Sequence, residues 1–347
     1  MEFKRVLVTG GAGFIGANYL RYALTLHPEW QITVLDKLTY AGNRENLEGL
    51  ETTSPHGLCE DRLRFIEGDI ADPGKVAEAM TGVDAVLNFA AETHVDRSLV
   101  DAGPFIQTNI EGVRVLLDQA RKSGVQRFLQ VSTDEVYGHL ETMAPHSLET
   151  DRLLPRNPYS ATKAAAEHLV FSYGISYGLN VVVTRGSNTY GPYQYPEKIV
   201  PLFIANAIDG QPLPLYGDGS AVRDYLHAYD HASGIDTVLH RGINGEAYNL
   251  GAREQVPGSL VAKSILALLK KPESLIRLVA DRPGHDYRYS VDPSKAEALG
   301  WRRKYSFGEG LKETVRWYQE NPGWWKRIRE KKEYQQFMQN WYRKRLD

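Results

Sequence analysis

A strand that breaks into spaced glycines and restarts as a helix leaves few folds open, and this chain begins that way. Arg5-Val6-Leu7-Val8-Thr9 is an almost continuous apolar run, the pattern of a strand buried on both faces. Gly10-Gly11-Ala12-Gly13-Phe14-Ile15-Gly16 follows, and then a helical stretch to about Leu26. Gly10, Gly13 and Gly16 permit a tight turn, close approach of backbone N–H groups to a pyrophosphate, and close packing of helix on strand. Alone, such a loop says little. Here a second strand, Ile32-Thr33-Val34-Leu35, ends at Asp36, an acid placed to bond the adenosine ribose hydroxyls and to repel the extra phosphate of NADP. We read a dinucleotide site from Gly10, Gly13, Phe14, Ile15, Gly16 and Asp36, with NAD favoured over NADP although Lys37 adjoins the acid.

The alternation continues. Leu63-Arg64-Phe65-Ile66 leads to Asp69 and Ile70; Asp69 is placed either to bond the adenine amino group or to cap the next helix. Ala85-Val86-Leu87-Asn88-Phe89 ends at Ala90 and Ala91, small enough for a cofactor to lie close. Strand, helix, strand in repetition means parallel strands with helical crossovers. The fold class is therefore α/β, a Rossmann-type doubly wound parallel sheet with a smaller carboxyl-terminal substrate-binding domain. Residues 1–186 are expected to form the NAD-binding part, with 224–251 returning to it, and 187–347 mainly the substrate part.

Chemistry concentrates at Val131-Ser132-Thr133-Asp134-Glu135-Val136-Tyr137-Gly138, an apolar strand that stops at two hydroxyls and two adjacent carboxylates. Open α/β sheets bind ligands at this carboxyl edge, though a polar strand-to-loop corner would look the same. Downstream, Tyr159 and Lys163 stand four apart in a helical stretch and so share one face. A tyrosine normally ionises near pH 10; a neighbouring ammonium favours the phenolate and would make it a usable base.

Together the glycine loop, Tyr-x-x-x-Lys and the Ser/Thr strand end resemble the extended short-chain dehydrogenase/reductase family. Ser132-Thr133-Asp134-Glu135-Val136-Tyr137-Gly138 resembles the signature of the dTDP-glucose 4,6-dehydratases within it. So do Tyr190-Gly191-Pro192-Tyr193-Gln194, Pro196-Glu197-Lys198, Tyr216-Gly217-Asp218-Gly219, Arg223-Asp224-Tyr225 and Asp281-Arg282-Pro283-Gly284-His285-Asp286. The resemblance runs over nearly the whole chain and implies oxidation of a glucose at carbon 4, elimination of water across carbons 5 and 6, and hydride return to carbon 6. It implies Tyr159 as the base for the carbon 4 hydroxyl, held by Thr133, with Lys163 on the nicotinamide ribose. Glu135 would remove the carbon 5 proton and Asp134 would protonate the leaving hydroxyl. The substrate, dTDP-glucose, would lie among His94, Thr133, Asn188, Glu197, Lys198, Pro214, Tyr216, Arg223, Arg282 and His285. A guanidinium at Arg223 suits diphosphate oxygens.

Two departures bear on the ligands. Thr189 stands where the family often has a second Asn, at a cofactor contact. Gly251-Ala252-Arg253-Glu254-Gln255 differs from the family's usual loop, which bears on the choice of base. A dehydratase acting on a UDP-linked sugar, or an NAD-dependent epimerase or decarboxylase, is the alternative; the adjacent acids Asp134 and Glu135 favour elimination. A non-catalytic dinucleotide sensor would not need Tyr159 and Lys163.

A net charge of -2 argues against a partner that tracks nucleic-acid phosphates. One cysteine, Cys59, makes no internal disulfide and no metal-thiolate site, so no metal is expected. No apolar run reaches membrane-spanning length, and the amino end runs directly into a strand, so a cytoplasmic protein is expected. The aromatic, basic segment from Trp317 to Asp347 fits helices packed on the body or on another subunit. By family resemblance, the helices holding Phe105 to Arg121 and Tyr159 to Tyr177 would pair in a homodimer.

Overall fold

The computed structural model describes residues 1–50, 62–141, 143–281 and 287–340; Arg282 and His285 lie outside them. In chain order the strands are β1 Arg5–Thr9, β2 Gln31–Asp36, β3 Leu63–Glu67, β4 Ala85–Asn88, β5 Arg127–Thr133 and β6 Val181–Gly186. Then come β7 Asn188–Tyr190, β8 Leu213–Tyr216, β9 Val222–His227, β10 Glu246–Leu250, β11 Gln255–Pro257 and β12 Ile276–Val279. Seven of them form one sheet in the order β10-β6-β5-β4-β1-β2-β3, with every neighbouring pair parallel. The chain steps from β1 out to β3, then returns to place β4 on the other side of β1. That reversal opens a crevice at the carboxyl ends of β1 and β4, where such sheets bind ligands.

Helices cover both faces because their apolar residues recur at helical spacing. Val113, Leu116, Leu117 and Ala120 of the helix Val113–Ser123 pack with Ala166 and Val170 of Pro158–Tyr177 on one face. On the other, Leu20, Ala23 and Leu24 of Phe14–Leu26 pack with Ile235, Val238 and Leu239 of Ala228–Arg241. Each such side chain contributes roughly 1.5–3 kcal/mol when fully buried. Arg127 closes the last helix: its guanidinium donates to the carbonyls of Leu239 and Gly242 at 3.0 and 2.8 Å, satisfying groups that a helix end leaves open.

A second lobe sits above the carboxyl edge. It comprises two small sheets, β11-β9-β7 and β12-β8, with the helices Ile199–Ile208, Gly258–Leu269 and Phe307–Glu320 around their own core. The aromatic, basic tail packs on this same chain over its described part. Trp324 Nε1 donates to Asn46 Oδ1 at 2.8 Å, and the Tyr334 hydroxyl donates to the Pro196 carbonyl at 2.9 Å. Among the described residues no helix is long and apolar enough to cross a membrane.

Candidate active site

Two adjoining cavities meet at the carboxyl edge. The larger follows the crevice, lined by Gly10, Gly13, Phe14, Ile15, Gly16, Asp36, Lys37, Asp69, Ile70, Ala90 and Ala91, and reaches Thr133, Asp134, Glu135, Tyr159, Lys163 and Thr189. The second is lined by His94, Asn188, Glu197, Lys198, Pro214, Tyr216 and Arg223. Glu135, Asn188, Glu197, Lys198, Ile199 and Tyr225 face both.

The glycine loop is built for something close. Gly10 has φ +68, and a Cβ there would sit 2.5 Å from the Ala90 nitrogen; one on Gly16 would sit 2.4 Å from the Gly10 carbonyl oxygen. Gly13 begins the helix Phe14–Leu26 without any side-chain cap. The first N–H groups of that helix thus stay available at the cavity wall, the arrangement that receives a phosphate. The buried Ser132 and Ser187 hydroxyls have no hydrogen-bond partner. A dinucleotide's phosphates and ribose hydroxyls fit this cradle.

Asp36 does two things at once. Its carboxylate accepts from the Ala12 N–H at 2.9 Å and the Leu38 N–H at 2.8 Å, so it also clamps the glycine loop to the end of β2. Burial raises its pKa. Lys37 pairs with Asp69 at 2.7 Å on the same cavity wall. Asp69 also accepts from the Ala71 N–H at 2.9 Å. The next helix is capped by Asp72, which accepts from Gly74 and Lys75, so capping is not the role of Asp69.

At the end of β5 the two carboxylates are in different surroundings. Thr133 caps a short helical turn, Asp134–Tyr137, accepting from the Glu135 N–H at 3.3 Å and donating to Asp134 at 3.3 Å. Asp134 is 2% exposed. Burial, then the nearby carboxylates of Glu135 and Asp224, hold its pKa well above the usual carboxylate range. Glu135 is only partly buried and faces both cavities. Adjacent in sequence, one is enclosed, where burial disfavours its charged form, and the other reaches the open space.

Tyr159 and Lys163 share a face of the helix Pro158–Tyr177, whose start is fixed by Asn157 accepting from the Ser160 N–H at 2.9 Å. The expected drop in the tyrosine pKa does not occur in the free chain. Burial, then Glu135, push the Tyr159 phenol up, while hydrogen bonds from Thr133 and Thr93 only partly oppose this. The Lys163 ammonium donates to the Val131 carbonyl at 2.7 Å, and burial lowers its pKa to about 8.

Several neighbours were not legible in the sequence. Arg97 binds the 2%-exposed Glu197 at 3.1 and 3.2 Å and lies 3.7 Å over the ring of Tyr40. Burial raises the pKa of Glu197 despite that pairing. Thr189, the departure from the family pattern, bonds His231 Nδ1 at 2.7 Å; burial lowers the pKa of His231 to about 4. The Arg223 guanidinium lies 4.7 Å over the Tyr289 ring and donates to the carbonyls of Val222 and Tyr287. The second departure, the loop after Gly251, lines neither cavity. Its Ala252, Arg253 and Glu254 N–H groups all donate to the fully buried Asp224, beside Arg223. This loop bears on the site through Asp224 and not by direct contact.

The chain's residues 7–314 match the family model described as GDP-mannose 4,6 dehydratase. A dTDP-glucose 4,6-dehydratase from Actinoplanes sp. is 44% identical over 92% of this chain and 99% of that protein. A trifunctional UDP-glucose 4,6-dehydratase from Arabidopsis thaliana is 45% identical over 93% of this chain, which spans 48% of that longer protein. The crystal structure of DesIV, a dTDP-glucose 4,6-dehydratase from Streptomyces venezuelae with NAD bound, superposes with a TM-score of 0.88 at 47% identity, covering 93% of this chain and 99% of that one. With the dinucleotide cradle, the carboxylate pair and the Tyr-Lys helix at one edge of the sheet, the chain belongs to the GDP-mannose 4,6 dehydratase family.

Proposed function

We propose that this protein is an NAD-dependent nucleotide-sugar 4,6-dehydratase that converts dTDP-glucose to dTDP-4-keto-6-deoxyglucose and water. The observation that carries this reading is the pair Asp134 and Glu135: a buried carboxyl, whose charged form burial disfavours, next to a second carboxyl that faces both cavities. Elimination of water needs one proton removed and another delivered, and groups of opposite protonation serve that at one pH. A plain redox or epimerase site has no use for the second acid.

NAD, when bound along Gly10 to Gly16 and Asp36, supplies the hydride acceptor for carbon 4 and a positive ring charge that favours phenolate at Tyr159. Thr133 holds the carbon 4 hydroxyl and Tyr159 takes its proton. The carbonyl formed at carbon 4 acidifies the carbon 5 proton, which Glu135 removes. Asp134 delivers its proton to the carbon 6 hydroxyl as it departs as water. Glu135 then returns a proton to carbon 5 while the hydride taken from carbon 4 is returned to carbon 6, giving the 4-keto-6-deoxy sugar. Lys198 and Arg223, lining the second cavity, are assigned to the diphosphate, and Pro214 and Tyr216 to the base.

The reading includes a homodimer paired through the helices Val113–Ser123 and Pro158–Tyr177. Ile106, Ile175 and Tyr177, 53%, 87% and 54% exposed, support it as apolar groups beside or on those helices. A UDP-linked substrate is the second reading, favoured by the near-equal identity to the Arabidopsis enzyme. Steady-state rates with dTDP-, UDP- and GDP-glucose decide. We expect dTDP-glucose to give the highest kcat/KM and a 4-keto-6-deoxy product. Conversion of UDP-glucose alone would move the assignment to the second reading.

A further inference from the structure

Where the helices Phe14–Leu26 and Ala228–Arg241 end, three side chains from distant parts of the chain converge. His27 ends the helix Phe14–Leu26, and Asp236 and His240 stand four apart, one turn, on Ala228–Arg241. His27 Nε2, an Asp236 carboxylate oxygen and a ring nitrogen of His240 all lie within 4.8 Å of one another. Asp236 Oδ1 is 2.8 Å from His27 Nε2 and 3.9 Å from His240 Nε2.

The hydrogen bonding around His240 is what singles out the cluster. His240 Nδ1 lies 2.9 Å from the Met1 carbonyl oxygen, which only accepts, so Nδ1 carries the proton. In the neutral ring Nε2 then presents a lone pair. That atom is buried and has no hydrogen-bond partner, and across 3.9 Å it faces a carboxylate oxygen. Two acceptors aimed at one gap repel unless a proton or a metal ion stands between them, and the same Asp236 oxygen also accepts from the Tyr19 hydroxyl at 3.3 Å. A histidine whose far nitrogen donates to a backbone carbonyl is also the usual outer-shell arrangement of a metal ligand. The rings of Phe3 and Trp30 flank His240, and Trp30 stacks on His27 at 4.0 Å, giving the gap a dry wall.

We propose that His27 Nε2, Asp236 Oδ1 and His240 Nε2 form a site for a divalent transition metal, with zinc the best fit to an imidazole, imidazole, carboxylate set. Tetrahedral zinc with bonds of about 2.0–2.1 Å holds its ligand atoms about 3.3 Å apart. The 2.8 Å pair must open and the 3.9 Å pair close by about half an ångström each, and the two imidazole nitrogens, within 4.8 Å, must come to the same spacing by side-chain rotation. Water fills the fourth position. The ion fastens the end of one helix to the end of its neighbour, 209 residues later, and so acts as a structural clamp. It does not serve the reaction, because none of the three residues lines either cavity.

The test uses tag-free full-length protein stripped with chelator and titrated with zinc chloride. Calorimetry should show one saturable site per chain. Melting should rise by about 3 °C at a hundredfold excess over Kd. His240→Gln, and His27→Gln with His240→Gln, should lose at least tenfold in affinity and the melting shift, while folding as judged by circular dichroism. Absence of saturable binding, or binding unchanged in the double variant, would overturn the proposal. A misfolded double variant is replaced by His240→Asn alone, and zinc affinity in that variant equal to the wild type also overturns it.

Discussion

At the residue scale, two adjacent carboxyls, Asp134 and Glu135, are proposed to do opposite work on protons, and depth is what distinguishes them. The sequence shows only that they are neighbours. Asp134 is enclosed with Asp224 near by, whereas Glu135 opens onto both cavities. This has a measurable consequence. A carboxyl whose folded pKa lies above its unfolded value costs the fold nothing below the unfolded pKa, near 3.9. As pH rises from there to the folded value, the unfolded chain ionises while the native group keeps its proton, so the wild type loses stability until both have ionised. Asn has the same shape and never ionises, so Asp134→Asn should match the wild type at pH 4 and gain on it as pH rises. Its dehydration rate should fall about 10²–10⁴-fold. Chemical denaturation across pH with single-turnover kinetics checks both; a variant that loses ground as pH rises would show Asp134 to be ionised.

Elements carry the site's second half. Arg97, on the helix Val95–Val100, joins Glu197, at the turn before Ile199–Ile208, to Glu333 and Phe337 on Lys332–Met338. Removing one partner of a buried pair strands a charge and typically costs 3–5 kcal/mol, while replacing both costs far less. Arg97→Met should therefore destabilise by about 3 kcal/mol and raise KM. Arg97→Met with Glu197→Gln should recover most of that stability. Denaturant melts of the wild type, Arg97→Met, Glu197→Gln and the double variant give the coupling energy; effects that add within about 0.5 kcal/mol would contradict the pairing. The strands, the glycine loop, Asp36 and the Tyr159–Lys163 face were legible because each is written in local spacing. Arg97 with Glu197 and Thr189 with His231 are 100 and 42 residues apart, and no periodicity encodes such meetings. Reading a lowered Tyr159 pKa from Lys163 failed for the same reason. Burial, and then the Glu135 carboxylate from the turn Asp134–Tyr137, push the other way.

For the whole molecule, one sheet edge gathers the dinucleotide cradle and the groups proposed for proton transfer, and the second cavity adjoins it. The order reversal between β1 and β4 sets the dinucleotide cradle, β5 delivers Thr133, Asp134 and Glu135, and the helix after it brings Tyr159 and Lys163. The central claim is that these parts perform an internal redox elimination and not simple oxidation or inversion. Glucose labelled with deuterium at carbon 4, linked to dTDP and incubated with the enzyme in ordinary water, tests it directly by NMR of the product. The account predicts that the label leaves carbon 4 and is recovered at carbon 6, with a solvent proton at carbon 5. Deuterium that stays at carbon 4, or returns there in a stereoisomer of the substrate, would contradict it.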